Sequence, residues 1–307
     1  RRLIVTNAAD APRNLEILDG LPHMQPYGLG DHALKNMSRT IEAWKAVYNS
    51  DERLPFYRLQ AAPGDVAEIG MIDAGNFACA FRHGTAQFLP VIVDPDIVFR
   101  MRTDLLSPAG LLAEPIGTLL SRDQITSGKT ASAFFASEAR LAPGESVTLT
   151  SIYGHTGSLE HLRQLALRFQ SPDFADRKLE EARSLTHCLT DVIATTTSNP
   201  VFDAYCRQTF LDNVLRGGWP ILLGDKEKKI VHIYSRKHGD PERDYNAFSL
   251  APEPYSQGNG NYRDVNQNRR NDVLFEPAVA AENAVTFLNL LRLDGYNPLV
   301  VKGKRFA

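Results

Sequence analysis

The stretch TGSLEHLRQLALRFQ, residues 156–170, marks the point where the chain changes its hydrophobic period. Apolar residues recur here every three or four positions, at Leu159, Leu162, Ala166 and Phe169. That spacing is typical of one face of an amphipathic helix. Ser158 stands just before the first of them and suits a helix cap. The stretch therefore predicts a helix that begins after Ser158.

The sequence before this helix is typical of β-structure. Residues 3–18 contain two short apolar runs separated by Asn, Asp and Pro, and residues 88–100 alternate β-branched residues with Asp-Pro breaks. Residues 131–154 predict a hairpin that turns at Pro143-Gly144, with Val147, Leu149 and Tyr153 on one face. We expect residues 1–155 to form one β-sandwich domain.

The sequence after it is typical of helices. Residues 171–195 predict a second helix with an apolar stripe at Ala182, Leu185, Leu189 and Val192. Together the two helices suit a linker over residues 156–198. Asn199 and Pro200 predict the start of a third helix that stops at Gly217-Gly218, and a fourth helix is expected from Pro277 toward Gly295. Residues 199–307 should then form a helical domain with long polar loops.

Composition excludes several classes of protein. The chain has 307 residues, 43% of them hydrophobic and 23% charged, with a net charge of −2. It lacks the basic excess typical of nucleic-acid binding, and no apolar run approaches the ~20 residues of a membrane span. Three cysteines without metal-ligand spacing predict buried, reduced thiols. The chain lacks an initiating Met and begins almost directly with an apolar run. Both features favour a segment of a longer protein.

Residues 258–272, GNGNYRDVNQNRRND, are dense in amide and guanidinium groups. A charged surface loop would have a similar composition. The aromatic residues Tyr245, Phe248 and Tyr255 precede the cluster, and sugar sites stack ring faces on aromatic side chains while amides and carboxylates hold the hydroxyls. His238 in the same region is interpreted as a structural histidine. We interpret the cluster as a carbohydrate site.

The stretch YRDVNQN at Tyr262–Asn268 resembles the YRDSNQD stretch of the inverting glycoside phosphorylases of the cellobiose phosphorylase group and their β-1,3-glucan phosphorylase relatives. The expected order of domains resembles theirs as well. Val265 replaces the family's serine, and Asn268 replaces its second aspartate, which makes a β-glucan other than cellobiose the more attractive substrate. The resemblance implies an α+β multidomain fold, in which residues 199–307 form the first part of an (α/α)6 barrel.

The resemblance also implies an activity. The chain would belong to a hexosyltransferase, a glycosyltransferase-class enzyme that converts a β-glucan oligosaccharide and phosphate to α-glucose 1-phosphate and a shortened saccharide. Phosphate is a co-substrate, and no metal or organic cofactor is implied. Phosphate acts as the nucleophile, so only one protein carboxylic acid is needed. The implied substrate-binding residues are Tyr262, Arg263, Asp264, Asn266, Gln267, Arg269 and Arg270.

The family's general acid lies in a Trp-Asn-Asp stretch downstream of the YRD motif. The chain contains only Trp44 and Trp219, and neither precedes Asn-Asp. The catalytic residue is therefore unknown, and we expect it outside this chain. The implied protein is cytoplasmic, binds an oligosaccharide but neither nucleic acid nor membrane, and can form a homodimer. Two alternatives stay open: an inverting hydrolase on the same scaffold, and a non-catalytic carbohydrate-binding protein.

Overall fold

The computed structural model describes residues 1–26, 29, 37–62, 68, 70–171, 173–224, 228–233 and 260–302. The chain has a mixed α/β fold with several antiparallel sheets. It divides into two compact units, Arg1–Leu179 and Glu180–Ala307, which we call unit 1 and unit 2. The domain boundaries expected after residues 155 and 198 stay predictions.

Unit 1 is built on two antiparallel sheets. Its strands are β1 (Arg2–Thr6), β2 (Arg13–Leu21), β3 (Lys45–Tyr48), β4 (Phe56–Leu59), β5 (Gly75–Arg82), β6 (Val91–Ile92), β7 (Ala133–Leu141) and β8 (Ser146–Thr156). One sheet has the order β1-β8-β5-β4-β3, and the other has the order β2-β7-β6. The two apolar runs of residues 3–18 form β1 and β2, which confirms them as strands.

The apolar faces of both sheets contribute to shared cores. Tyr57 of β4 and Ala78 of β5 pack in one cluster with Val91 of β6 and Phe135 of β7. The side chains are almost fully buried, so larger ones such as Val91 and Phe135 each contribute roughly 1.5–3 kcal/mol through loss of their contact with water. Strand β5 is buried on both faces, because Phe77, Cys79 and Phe81 pack in a second cluster.

Five helices are described in unit 1: α1 (Ser38–Ala43), α2 (Pro95–Phe99), α3 (Ala109–Ala113), α4 (Ile116–Leu120) and α5 (Leu159–Phe169). The structure confirms the predicted helix after Ser158, whose Oγ accepts a hydrogen bond from the His161 N–H at 3.1 Å. The buried stripe of α5 packs against β5, where the rings of Phe169 and Phe77 stack with centroids 5.6 Å apart.

The predicted hairpin of residues 131–154 is wrong. Strands β7 and β8 both form, but β7 pairs with β2 and β6, whereas β8 pairs with β1 and β5. The turn at Pro143-Gly144, with Gly144 at φ +76°, therefore carries the chain from one sheet to the other. Period-2 alternation identifies the strands but does not identify their partners.

The second apolar run in residues 88–100 is also not a strand. Asp94 Oδ1 accepts a hydrogen bond from the Asp96 N–H at 3.1 Å, and Pro95 occupies the first turn. These are the features of a helix start, and they begin α2. Only Val91–Ile92 of this region is a strand.

Unit 2 contains small two-stranded sheets among helices. Its elements are α6 (Phe174–Thr190, which begins before the unit boundary), a 3₁₀ turn (Asp191–Ile193), α7 (Pro200–Gly217), β9 (Trp219–Leu223), β10 (Lys229–Ile233), β11 (Gly260–Asn261), α8 (Tyr262–Arg269), α9 (Asp272–Phe275), a 3₁₀ turn (Pro277–Val279), α10 (Glu282–Asn289) and β12 (Val300–Val301). Antiparallel pairs form between β9 and β10 and between β11 and β12.

The third predicted helix is confirmed as α7. Asn199 Oδ1 accepts from the Val201 N–H at 3.0 Å, and Gly218 follows the helix at φ +80°. The fourth is only partly correct, because a 3₁₀ turn and Ala280 at φ +44° interrupt it before α10 begins. On α6, Leu185 of the predicted apolar stripe is 60% exposed.

The cysteines differ in environment. Cys79 is buried as predicted, Cys206 is partly buried, and Cys188 is exposed, contrary to the prediction; all three thiols are free. Burial raises the pKa of the Cys79 thiol to about 12. Within the described ranges, no helix combines the length and apolar character needed to cross a membrane.

Candidate functional site

Helix α8 carries the YRDVNQN motif, and its start is held at two points. Asn261 caps the helix, because its Oδ1 accepts from the Arg263 N–H at 3.0 Å. Asn261 also belongs to β11, which pairs with β12, and the Tyr262 N–H donates to the Leu299 carbonyl at 3.3 Å. The beginning of the motif is therefore fixed by both a cap and a strand pair.

One face of α8 is buried. Tyr262 and Val265 pack with Phe287 of α10, and the rings of Tyr262 and Phe287 meet edge to face with centroids 5.4 Å apart. The Tyr262 hydroxyl donates to the Phe287 carbonyl at 2.8 Å. Tyr262, one of the expected substrate-binding residues, therefore has its ring and its hydroxyl engaged inside unit 2.

The opposite face of α8 is exposed and polar. Arg263, Asn266, Gln267 and Arg270 are all exposed. Their separations of three and four residues place them on one side of a helix. We call these four residues the polar face. It offers guanidinium and amide groups, which donate several hydrogen bonds in planar arrangements, and amide oxygens, which accept them.

Asp264 lies at the border of the polar face. Its Oδ1 accepts from Arg263 Nε at 3.0 Å, and its side chain is 13% exposed. Its Oδ2 is covered, and among the described residues it has no hydrogen-bond partner. The carboxylate stands in the first turn, where the helix dipole favours negative charge. A covered acceptor without a described partner is a costly group that a bound hydroxyl could satisfy.

A buried polar network lies at the end of α8. His232 Nε2 of β10 donates to Asp272 Oδ2 at 2.6 Å, and Asn283 Nδ2 of α10 donates to the same oxygen at 2.6 Å. Asn283 Nδ2 also donates to the Arg269 carbonyl at 3.2 Å. The side chains of Arg269, Asp272 and His232 are buried. We call Arg269, Asp272, His232 and Asn283 the buried network; it joins α8, α9, α10 and β10.

Burial sets the electrostatics of Arg269. It lowers the pKa of the guanidinium to about 10, and the nearby Asp272 carboxylate opposes part of this shift. Arg269 therefore keeps its charge at neutral pH, balanced by Asp272. A buried charge held this way fixes the position of its helix, because moving it away from its partner is expensive.

The seven expected site residues thus fall into three groups. Arg263, Asn266, Gln267 and Arg270 share the polar face, Asp264 borders it, and Tyr262 and Arg269 are buried on the other side. Sequence reasoning missed His232 and Asn283. The signal for His232 was a histidine inside the apolar strand run KIVHI at 229–233. Tyr245, Phe248, Tyr255 and His238 lie outside the described residues.

Across the ranges that the structure describes, no group of three or more His, Cys, Asp or Glu side chains is placed to hold a metal ion. No family model matches the sequence, and the search of curated proteins finds no match either.

Proposed function

We propose that this chain is part of an inverting glycoside phosphorylase that acts on a β-glucan oligosaccharide. A phosphate oxygen attacks the anomeric carbon of the terminal glucosyl unit, and the bond to the glycosidic oxygen breaks. A carboxylic acid supplies the proton that the leaving oxygen takes. The products are α-glucose 1-phosphate and a saccharide shortened by one unit.

The observation that supports the proposal most is the arrangement of α8. Its polar face presents two guanidinium and two amide groups side by side, while its opposite face is fixed by Tyr262 and the buried network. A sugar is a rigid body with many hydroxyls, so a site that holds it needs several polar groups in fixed positions.

Each motif residue then has a role. Arg263, Asn266, Gln267 and Arg270 hydrogen-bond the hydroxyls of the glucosyl unit next to the bond that breaks. Asp264 Oδ2, which is covered and has no described partner, accepts from one of those hydroxyls. Tyr262 and Arg269 are positioning residues: they act on the sugar only by holding α8 in place. None of these groups is assigned as the general acid.

The proposal extends to the whole chain. Residues 1–155 form a β-sandwich, residues 156–198 a helical linker, and residues 199–307 the first part of an (α/α)6 barrel. The enzyme is cytoplasmic, needs inorganic phosphate but no metal or organic cofactor, and can form a homodimer. Its general acid lies outside the residues assigned to this site.

The proposed activity is tested on the protein encoded by the complete reading frame. It is incubated with laminari-oligosaccharides and cello-oligosaccharides, each with and without inorganic phosphate, and both sugar 1-phosphate and free sugar are measured. Sugar 1-phosphate that forms only with phosphate supports a phosphorylase. Release of free sugar at the same rate in both conditions identifies a hydrolase. Saccharide binding without turnover identifies a carbohydrate-binding protein.

Matched arginine variants test the polar face. Arg270→Ala removes an exposed guanidinium from α8, and Arg183→Ala removes an exposed guanidinium from α6. Loss of charged hydrogen bonds to a sugar costs about 1.5–3 kcal/mol, or roughly a tenfold to hundredfold loss of kcat/KM. We expect that loss for Arg270→Ala and none for Arg183→Ala. Equal activity in the two variants would remove Arg270 from the site.

A further inference from the structure

Unit 1 contains a cavity of about 450 Å³ that none of the residues assigned above lines. This volume lies within the ~300–1,000 Å³ typical of small-molecule sites. Ile116, Ala136 and Phe88 give it an apolar side, and Arg53 and Arg82 give it a basic side. The cavity therefore offers both a surface for an apolar or ring-shaped body and two positive charges.

Arg82, at the end of β5, is held by the neighbouring strand β7. Its Nε and Nη2 donate to Ser137 Oγ at 3.2 and 3.1 Å, and Nη2 also donates to the Glu138 carbonyl. Ser137 is buried, with 4% exposure. These bonds fix the plane of the guanidinium and leave Nη1 without a partner in the part of unit 1 that the structure describes.

Arg53 is held in a similar way. Its Nη1 donates to the Phe88 carbonyl at 3.0 Å, while its Nε and Nη2 make no hydrogen bond to the described residues. Its backbone has φ +59°, a conformation that costs free energy in a residue other than glycine. A turn closed by the bond from the Arg53 N–H to the Ser50 carbonyl, at 3.0 Å, maintains it.

Neither arginine has a carboxylate partner within 4 Å among the described side chains. Glu138 is the one acidic residue among those that line the cavity, so the lining groups sum to one positive charge. The nearby Glu52 is already paired with Arg163 at 2.8 Å. Two guanidinium groups that line one cavity and have unused N–H donors suit a phosphate or carboxylate, which accepts paired hydrogen bonds.

We propose that this cavity binds a small organic anion, with a phosphate or carboxylate group held between Arg53 and Arg82. The body of the ligand packs against Phe88 and Ile116, and the exposed Gln87 at the rim is available to its polar groups. This binding site is independent of saccharide binding at α8. It would serve a ligand of unit 1 even if the polar face of α8 bound no sugar.

Isothermal titration calorimetry at low ionic strength tests the site, with the 307-residue chain carrying Arg270→Ala in every sample so that any binding at α8 is weakened. The probes are glucose 1-phosphate, citrate and glucose. We expect glucose 1-phosphate, citrate or both to bind, and glucose not to bind. If only one of the two anions binds, the result distinguishes a phosphate from a carboxylate ligand. Absence of binding by both anions, or glucose binding as tight as that of glucose 1-phosphate, would overturn the proposal.

Three variants locate the bound anion. Arg53→Gln and Arg82→Lys should each weaken binding at least tenfold, whereas Arg140→Gln, which alters an exposed arginine of β7, should leave it within twofold. Circular dichroism verifies that each variant folds. If Arg82→Lys disturbs the contact between β5 and β7, Arg53→Gln decides the question, because it removes only the bond to the Phe88 carbonyl. Unchanged affinity in folded Arg53→Gln contradicts the site.

Discussion

Tyr262 and Arg263 are adjacent in the chain, yet Tyr262 lies on the buried face of α8 and Arg263 on its exposed face. The Tyr262 ring packs on Phe287, whereas the Arg263 side chain is 59% exposed. The motif YRDVNQN therefore contains both the groups that can meet a ligand and the groups that fix the helix. Sequence alone could not separate them, because the division depends on where the helix starts, and the Asn261 cap sets that start.

Tyr262→Phe separates a structural role from a binding role. The variant keeps the ring but leaves the Phe287 carbonyl without its donor at 2.8 Å. We expect it to lower the free energy of unfolding by about 1 kcal/mol, measured by urea denaturation, because the lost bond is buried. Saccharide affinity, measured by calorimetry, should stay within twofold. Unchanged stability with a large loss of affinity would place the hydroxyl in the binding site.

Ala280 interrupts the helix that the sequence predicted from Pro277. Its φ of +44° and ψ of −121° suit glycine better than alanine. Ala280→Gly should therefore raise the free energy of unfolding by roughly 0.5–1 kcal/mol. The matched change Ala284→Gly, inside α10, should lower it by about 1 kcal/mol. Chemical denaturation of both variants measures the difference, and the same sign for both would contradict this backbone assignment.

At the level of elements, the buried network holds α8 against its neighbours. Asp272 Oδ2 accepts from both His232 and Asn283 at 2.6 Å, so one oxygen links β10, α9 and α10. Helix α8 also packs against α7 and α10. The polar face is therefore supported by elements that are distant in sequence, which is why the motif alone did not reveal His232 or Asn283.

Removal of Asp272 should weaken this support strongly. Asp272→Ala leaves the buried His232 and the partly buried Asn283 without their shared acceptor, and we expect a loss of about 3 kcal/mol in the free energy of unfolding. Asp272→Asn should lose less, because its amide oxygen can occupy the place of Oδ2 and accept both bonds. Asp294→Ala, at a half-exposed carboxylate, is the control. Hydrogen exchange should locate the loss in α8 and α10; equal losses in all three variants would contradict the network.

Local sequence signals predicted elements better than their partners. Ser158 and Asn199 predicted helix starts correctly, because a cap acts within a few residues. The hairpin at Pro143-Gly144 was wrong, because β7 pairs with β2 and β8 pairs with β5, strands that are distant in the sequence. The second strand expected within residues 88–100 was wrong, because Asp94 and Pro95 favour a helix start there more strongly than the β-branched residues favour a strand.

At the scale of the whole molecule, we propose two kinds of ligand site, each contained in its own unit. The polar face of α8 lies in unit 2, and the cavity between Arg53 and Arg82 lies in unit 1. Composition argued against nucleic-acid binding and a membrane span, and the motif predicted the first site. The cavity could not be predicted, because Arg53, Arg82 and Ser137 come from separate segments that only the two sheets bring together.

The most direct test of the central claim is an NMR time course of phosphorolysis with the complete protein. Wild type, Asp264→Asn and the control Arg183→Ala are followed with a laminari-oligosaccharide and inorganic phosphate. The account predicts the α-anomer of glucose 1-phosphate from wild type and Arg183→Ala, and roughly tenfold to hundredfold slower formation by Asp264→Asn, since the amide would replace a carboxylate that we propose binds the sugar. Phosphate-independent release of glucose, or normal turnover by Asp264→Asn, would contradict it.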